Sequence, residues 1–217
     1  MSQKRVDAMR VVAISLGSVD MQDKMLRGAG ALAKLFWCLL REKSYLGFAD
    51  AASEVRSLVR VLSWLSNLQA VNYLLNKEQP GMRDVIFLVH VLSEGVFKLA
   101  DNVAFIGRKL HGNTPLFQQA AYVSRLGLFL ACLAAVGVSL FDIRHSRLLG
   151  SRRKQLITLF QGVCDLLIAA AGASVAGFEL SCLWSSLLTL LSSLLGCVGG
   201  FRSAAIAARH RAVNKYI

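Results

Sequence analysis

Apolar residues recur at three- and four-residue steps through the first half of the chain, the spacing of one face of a helix. The pattern predicts amphipathic helices from Val19 to an end near residues 41–44, over about residues 48–76 and over roughly residues 83–110. The 217-residue chain has only two prolines, Pro80 and Pro115, so little interrupts these helices. We therefore expect an all-α fold rather than an all-β one.

The second predicted helix has the pattern of a membrane-surface helix. Arginines occupy a narrow polar side, while leucines and one tryptophan cover a broad apolar arc. Such a helix can rest among lipid headgroups with its apolar side chains inserted and its cations against anionic lipid. The same pattern suits a helix facing the core of a bundle. The candidate membrane-binding residues are Arg56, Leu58, Arg60, Leu62, Trp64 and Leu65.

The third predicted helix is long enough to span a bilayer but carries charges along one side. His90, Glu94 and Lys98 follow at four-residue steps. Each charge at the bilayer centre costs about 2.5–3.5 kcal/mol on insertion scales, whereas an i,i+4 ion pair gains only about 0.5 kcal/mol. The sequence therefore predicts that this helix lies on a membrane or packs in a bundle rather than crossing.

Beyond residue 115 the chain becomes strongly apolar. Residues 126–143 carry one charge, Asp142, and reach the roughly 20 residues needed to cross a hydrocarbon core when 120–124 are added across Arg125. This stretch is the first candidate transmembrane segment.

A basic link at residues 144–154 separates that segment from residues 156–201, whose only charges are Asp165 and Glu179. The length suits two helices joined by a tight turn, and the basic flanks predict a hairpin by the positive-inside rule. These two helices are predicted over residues 156–177 and 183–201.

The chain thus divides into an amphipathic region, residues 1–115, and a membrane-embedded region, residues 116–217, that ends in a basic tail. Two or three segments of the second region are embedded, because Asp165 is costly in lipid. Asp165 is either a functional intramembrane acid or a carboxyl that faces a helix partner.

Small residues are spaced for close helix contact in the apolar third of the chain. Gly196 and Gly200 form a GxxxG pattern, and Ala169 and Ala173 repeat the four-residue step. These four are the candidate helix-contact residues, and self-association through them predicts a homo-oligomer.

Composition favours a membrane over nucleic acid as the partner. The net charge is +12 and 55% of residues are hydrophobic, with a mean hydropathy of +0.51. Basic clusters flank apolar runs instead of sharing a surface with stacking aromatics, which indicates an anionic phospholipid surface. We expect no nucleic-acid partner.

Catalytic and metal-binding motifs do not account for this sequence. It has no HExxH, no GxSxG and no Gly-rich phosphate loop. The odd number and wide spacing of the cysteines predict reduced, structural thiols without a metal. We expect no enzyme, no cofactor and no metal site. The five cysteines are Cys38, Cys132, Cys164, Cys182 and Cys197.

Three stretches in succession resemble the peroxisomal biogenesis factor eleven family, which elongates peroxisome membranes. Residues 20–27 (DMQDKMLR) are similar to its Thr-Asp-Gly-Arg-Asp-Lys-hydrophobic opening, with Val19, Met21 and Gln22 at the Thr, Gly and Arg positions. Residues 52–62 (ASEVRSLVRVL) resemble its basic amphipathic segment. Residues 94–105 (EGVFKLADNVAF) resemble its aromatic, leucine and Asp-Asn stretch.

The resemblance implies a multi-pass protein of the peroxisomal or glycosomal membrane that drives elongation, proliferation and fission by amphipathic-helix insertion. It also implies that residues 1–115 face the cytosol, and that the organelle fission machinery is a partner. Basic flanks such as residues 144–154 would suit a membrane-protein import chaperone. In the family both termini are cytosolic and the number of crossings is even, which conflicts with three crossings here.

Two other functions compete with membrane remodelling. A metabolite channel or transporter would use Asp165, Glu179 and Arg125 at or near membrane depth. A soluble helical adaptor would have to bury residues 156–201 inside a domain of modest size.

Overall fold

The computed structural model describes residues 3–145 and 149–213, and within these ranges it contains eight α-helices and no strand. The predicted all-α fold is confirmed. Arg147 of the basic link and residues 214–217 of the basic tail lie outside the described residues. The helices are α1 Gln3–Leu16, α2 Val19–Leu40, α3 Lys43–Val59, α4 Trp64–Leu75, α5 Met82–His111, α6 Pro115–His145, α7 Leu149–Gly172 and α8 Cys182–Val213.

The prediction of one continuous helix over residues 48–76 is wrong, because a turn at residues 60–63 separates α3 from α4. Asn102 on α5 donates a hydrogen bond of 2.7 Å to the carbonyl of Val61. In a continuous α-helix the carbonyl of Val61 would accept a hydrogen bond from the amide of Leu65. In the structure the amide of Leu65 instead donates to the carbonyl of Leu62 at 3.1 Å. A contact from another helix therefore creates the break. Helix α1 has no counterpart in the sequence prediction.

Three C-terminal helices are long and apolar enough to span a membrane, which confirms the membrane-embedded region. They are α6, α7 from Arg152 onward, and α8 as far as Ala208. Helix α7 ends at Gly172, before the predicted residue 177, because Ser174 and Ala176 adopt left-handed backbone angles with φ of 51° and 52°. Residues 173–181 then lead into α8.

Helices α2 to α8 form a ring of six antiparallel columns, in which α3 and α4 together make one column, and α1 packs against α8 and α2. Contacts link consecutive columns, and α8 closes the ring by packing on α2. Two contacts show that α5 and α6 are antiparallel. Arg83 near the start of α5 contacts Asp142 near the end of α6, and Gly107 near the end of α5 contacts Phe117 near the start of α6. The starts of α2 and α5 therefore lie at the same end of the ring as the end of α6.

Burial in the ring is the reverse of that in a water-soluble domain. Buried apolar residues are mostly alanines, and buried serines include Ser192 and Ser193, while large apolar side chains are exposed on every column. Only 17%, 11% and 22% of the most apolar windows of α6, α7 and α8 are buried in the protein. A soluble adaptor would need to cover these windows, and this fold leaves them open.

Candidate functional site

A polar cavity of about 960 Å³ lies inside the ring and receives side chains from all six columns. Ten charged side chains line this cavity, although the outer side of each column also carries large apolar residues. Its charged lining residues are Asp20, Asp23, Lys24, Arg27, Lys34, Arg56, Arg60, Glu94, Lys98 and Asp165.

Asp165 on α7 pairs with a cation from the first column. Arg27 Nη2 on α2 lies 2.5 Å from Asp165 Oδ1, and Ser192 Oγ on α8 donates to the same oxygen at 2.7 Å. A carboxylate in an apolar segment is costly unless it is paired and hydrogen-bonded. Of the two interpretations of Asp165, the structure therefore supports the one in which it faces a helix partner.

The candidate membrane-binding arginines form an ion-pair network inside the ring. Asp23 Oδ1 lies 3.1 Å from Arg56 Nε and 3.3 Å from Arg60 Nε, and Arg60 Nη2 lies 3.1 Å from Asp101 Oδ2. Arg60 also lies over the ring of Phe97. These guanidinium groups fasten the α3 column to α2 and α5, so in this conformation they do not face lipid headgroups.

The charges of α5 also turn toward the interior. Glu94 accepts hydrogen bonds from Asn67 Nδ2 at 2.8 Å and lies 3.1 Å from Lys98 Nζ, which donates to Asn67 Oδ1 at 3.0 Å. His90 Nδ1 lies 2.9 Å from the carbonyl oxygen of Ala131 on α6. Helix α5 therefore packs in a bundle, one of the two positions expected for it.

The opposite side of α5 is an uninterrupted apolar stripe. Its residues step by three or four along the whole helix and are all exposed. These apolar side chains are exposed, whereas the charged Glu94 and Lys98 line the cavity, so α5 has a polar inner side and an apolar outer side. The stripe comprises Val85, Val89, Leu92, Val96, Leu99, Val103 and Ile106.

The candidate membrane-binding leucines lie on the outside of the ring. Leu58, Leu62 and Leu65 are 59%, 66% and 44% exposed. Trp64 is half-buried and lies beside a shallow apolar groove between α4 and α5. Leucines and arginines of this column thus separate onto its outer and inner sides.

The candidate helix-contact residues make contacts within the chain. A Cβ on Gly196 would lie 3.1 Å from Lys24 Cδ, and one on Gly200 would lie 2.8 Å from Met21 Sδ. Ala169 and Ala173 are buried. These small residues allow helices to approach closely, and self-association through them stays a prediction.

Sequence reasoning missed a close backbone approach between α5 and α6. A Cβ on Gly127 would lie 3.0 Å from the backbone nitrogen of Phe97 and 3.1 Å from the carbonyl oxygen of Ser93. Gly127 and Ala131 are four residues apart, which is a small-residue pattern that could have indicated this contact. Of the residues suggested for a channel, Asp165 lines the cavity, whereas Arg125 and Glu179 are exposed and do not line it.

The two ends of the ring differ in charge. The last turn of α6 and the start of α7 lie at the end of the ring where α2 and α5 begin and α8 finishes. In the sequence, residues 144–154 include five basic residues and no acid. At the other end, residues 173–181 contain one charge, Glu179. At the basic end Lys77 and the amide of Gly81 bond Asp84, which lowers the pKa of that carboxyl.

No known protein family, no curated protein and no solved structure matches this chain. Within the described ranges, no group of three His, Cys, Asp or Glu side chains could hold a metal ion.

Proposed function

We propose that the protein elongates the membrane of a peroxisome- or glycosome-type organelle and promotes its fission. The observation that carries this proposal is the outward leucine face of the α3–α4 column, at Leu58, Leu62 and Leu65. The succession of motifs on α2, α3 and α5 that resemble the peroxisome elongation family supports the choice of organelle.

The mechanism differs from a free helix floating among headgroups. Ion pairs to Asp23 and Asp101 hold the arginines of the column inward, which aims its leucines at lipid. Helix α4 has 12 residues, about 18 Å at 1.5 Å per residue, and this is less than the roughly 30 Å of a hydrocarbon core. Helix α4 alone is therefore too short to cross the core, and its apolar side chains lie mainly in the leaflet at its end of the column.

The outer sides of the two halves of this column differ in a way that favours bending. Helix α4 and the turn before it expose five large apolar side chains, Leu62, Leu65, Leu68, Tyr73 and Leu75, whereas α3 exposes three, Phe48, Val55 and Leu58, together with the charged Asp50 and Glu54. More apolar volume near the α4 end expands that leaflet relative to the other. When many copies lie in one membrane, the differences in area between its two leaflets would add up and curve the bilayer.

The basic end of the ring suits the cytosolic side by the positive-inside rule. Six columns that all cross would bring the start of α2 and the end of α8 to this one side. Such a topology has an even number of crossings and cytosolic termini, as the family resemblance implies. It resolves the conflict over an odd number of crossings, but it places α2 to α5 within the membrane, whereas the resemblance implies that residues 1–115 face the cytosol.

The test is vesicle shape after reconstitution of the full chain. Replacing Leu58, Leu62 and Leu65 together with Glu should leave the protein resistant to alkaline carbonate extraction but unable to elongate liposomes. The same three leucines replaced with Met keep the apolar area and should retain elongation. Tubulation by the Glu variant would overturn the proposal.

A second candidate function, a channel or transporter for polar metabolites, is supported by the charged cavity within the ring. Lining groups from every column would replace water around a polar solute, while the apolar outside faces lipid. Planar-bilayer recordings test it, because Asp165→Asn should change conductance and Arg125→Ala, outside the cavity, should not. A silent bilayer would exclude conduction and leave the remodelling proposal standing.

A further inference from the structure

Two cysteines from distant parts of the sequence meet at the less basic end of the ring. Cys38 Sγ, near the end of α2, lies 2.6 Å from Cys182 Sγ, the first residue of α8, and 144 positions separate them. All five cysteines of the chain are free in the structure. The two thiols are thus in contact without being bonded.

Close packing of α2 and α8 fixes this contact. A Cβ on Gly28 would lie 3.3 Å from Ser193 Cβ, and Gly200 approaches Met21 further along the same pair of helices. The two columns are therefore held together over several turns, and the cysteines lie where that interface ends.

Contact with a second sulfur separates this pair from the other thiols. Cys38, Cys132 and Cys197 are all half-buried and Cys164 is buried, but among the described residues only Cys38 and Cys182 are in sulfur contact. Susceptibility to oxidation follows thiolate character and exposure. Within the pair, Cys182 is the exposed thiol.

We propose that Cys38 and Cys182 are a redox-sensitive site at which a peroxide forms a disulfide between the first and last columns of the ring. One thiolate attacks a peroxide oxygen, the O–O bond breaks, and a sulfenic acid and hydroxide form. The second thiol attacks the sulfenic sulfur and releases water. Two thiols and one hydrogen peroxide thus give one disulfide and two waters.

This disulfide would hold α2 and α8 together at the contact that closes the ring. Columns α2 and α8 are joined only by packing and by the ion pairs of α2 with its neighbours, so a covalent link at their shared end restricts separation of the N-terminal helices from α7 and α8. The inference needs only the contact between α2 and α8 and does not depend on the proposed function.

The experiment counts free thiols in the purified full chain. Protein in detergent micelles is treated with hydrogen peroxide, denatured, and labelled with a maleimide polymer that retards each labelled chain on a gel. We expect five labelled thiols before treatment and three after it, with return to five after dithiothreitol.

Variants on the two helices provide the controls. Cys38→Ser and Cys182→Ser should each keep all four remaining thiols after peroxide, whereas Cys197→Ser, also on α8, should fall from four to two. A wild-type count that stays at five, or linkage between chains instead of within one, would overturn the proposal. So would a loss of two thiols that persists in Cys38→Ser.

Discussion

The N-terminal columns, α2 to α5, and the C-terminal columns, α6 to α8, both expose large apolar side chains but differ in what they turn inward. The C-terminal helices carry few charges and meet the criteria for membrane spans by themselves. The N-terminal helices carry many charges, and several of these, such as Arg56, Arg60 and Glu94, are paired inside the ring. Hydropathy separates the two halves, although both have large apolar residues on the outside.

The comparison teaches that the number of charges on a helix does not decide where it can reside. The insertion cost that argued against a crossing by α5 applies to charges that face lipid. On α5 the charged residues face Asn67, Arg60 and the backbone of α6. Paired groups inside a bundle avoid much of that cost.

The largest expected effect comes from breaking the pair that joins the two halves. Arg27→Leu leaves Asp165 in an apolar surrounding with only Ser192 as a partner, and we expect a loss of about 3 kcal/mol in the free energy of unfolding. Denaturant titration in mixed micelles measures it. The double variant Arg27→Leu with Asp165→Leu should recover most of the loss, and equal stability of the single and wild-type proteins would contradict the pairing.

A smaller effect is expected at the joint between α5 and α6. Gly127→Ala places a Cβ against the backbone of α5 and should destabilise the protein by about 1–3 kcal/mol, because backbone atoms cannot move aside as a flexible side chain can. The matched control is Gly199→Ala on α8, where a Cβ meets nothing within 4 Å. That control should be neutral or stabilising by up to about 1 kcal/mol.

The smallest predicted effect concerns the break between α3 and α4. Asn102→Leu removes the donor to the carbonyl of Val61 and should cost about 1 kcal/mol. Freed from this bond, residues 60–63 can become helical, and slower amide hydrogen exchange at Leu65 would report it. Unchanged exchange together with unchanged stability would show that Asn102 does not create the turn.

Particular residues show how far the sequence could lead. The limits of α2 and α5 follow from three- and four-residue periodicity and from Pro80-Gly81, which are local signals. The turn at residues 60–63 depends on Asn102, 41 positions away from Val61, and no local propensity reports that contact. Helix α1 has only a short apolar pattern, and packing on α8 accompanies its helical form.

The residues of the candidate site also divide into those that local spacing predicts and those whose direction depends on distant contacts. Leu58, Leu62 and Leu65 could be predicted as an apolar surface from their three- and four-residue spacing, although that prediction assumed a continuous helix and the structure has a turn at residues 60–63. The inward direction of Arg56 and Arg60 could not, because it depends on the carboxylates of Asp23 and Asp101 in other columns. An arginine suits a headgroup or a buried carboxylate equally well until its neighbours are known.

The most direct measurement is the accessibility of a spin label at Val96, in the centre of the outer stripe of α5, with the native cysteines replaced by serine and the protein in liposomes. A polar interior and a lipid-facing exterior predict that oxygen reaches this nitroxide readily and that a water-soluble nickel complex does not. A label at Thr189, which lines the cavity, should be more accessible to the nickel complex than Val96. High nickel accessibility at Val96 would contradict the account, since α5 would then face water.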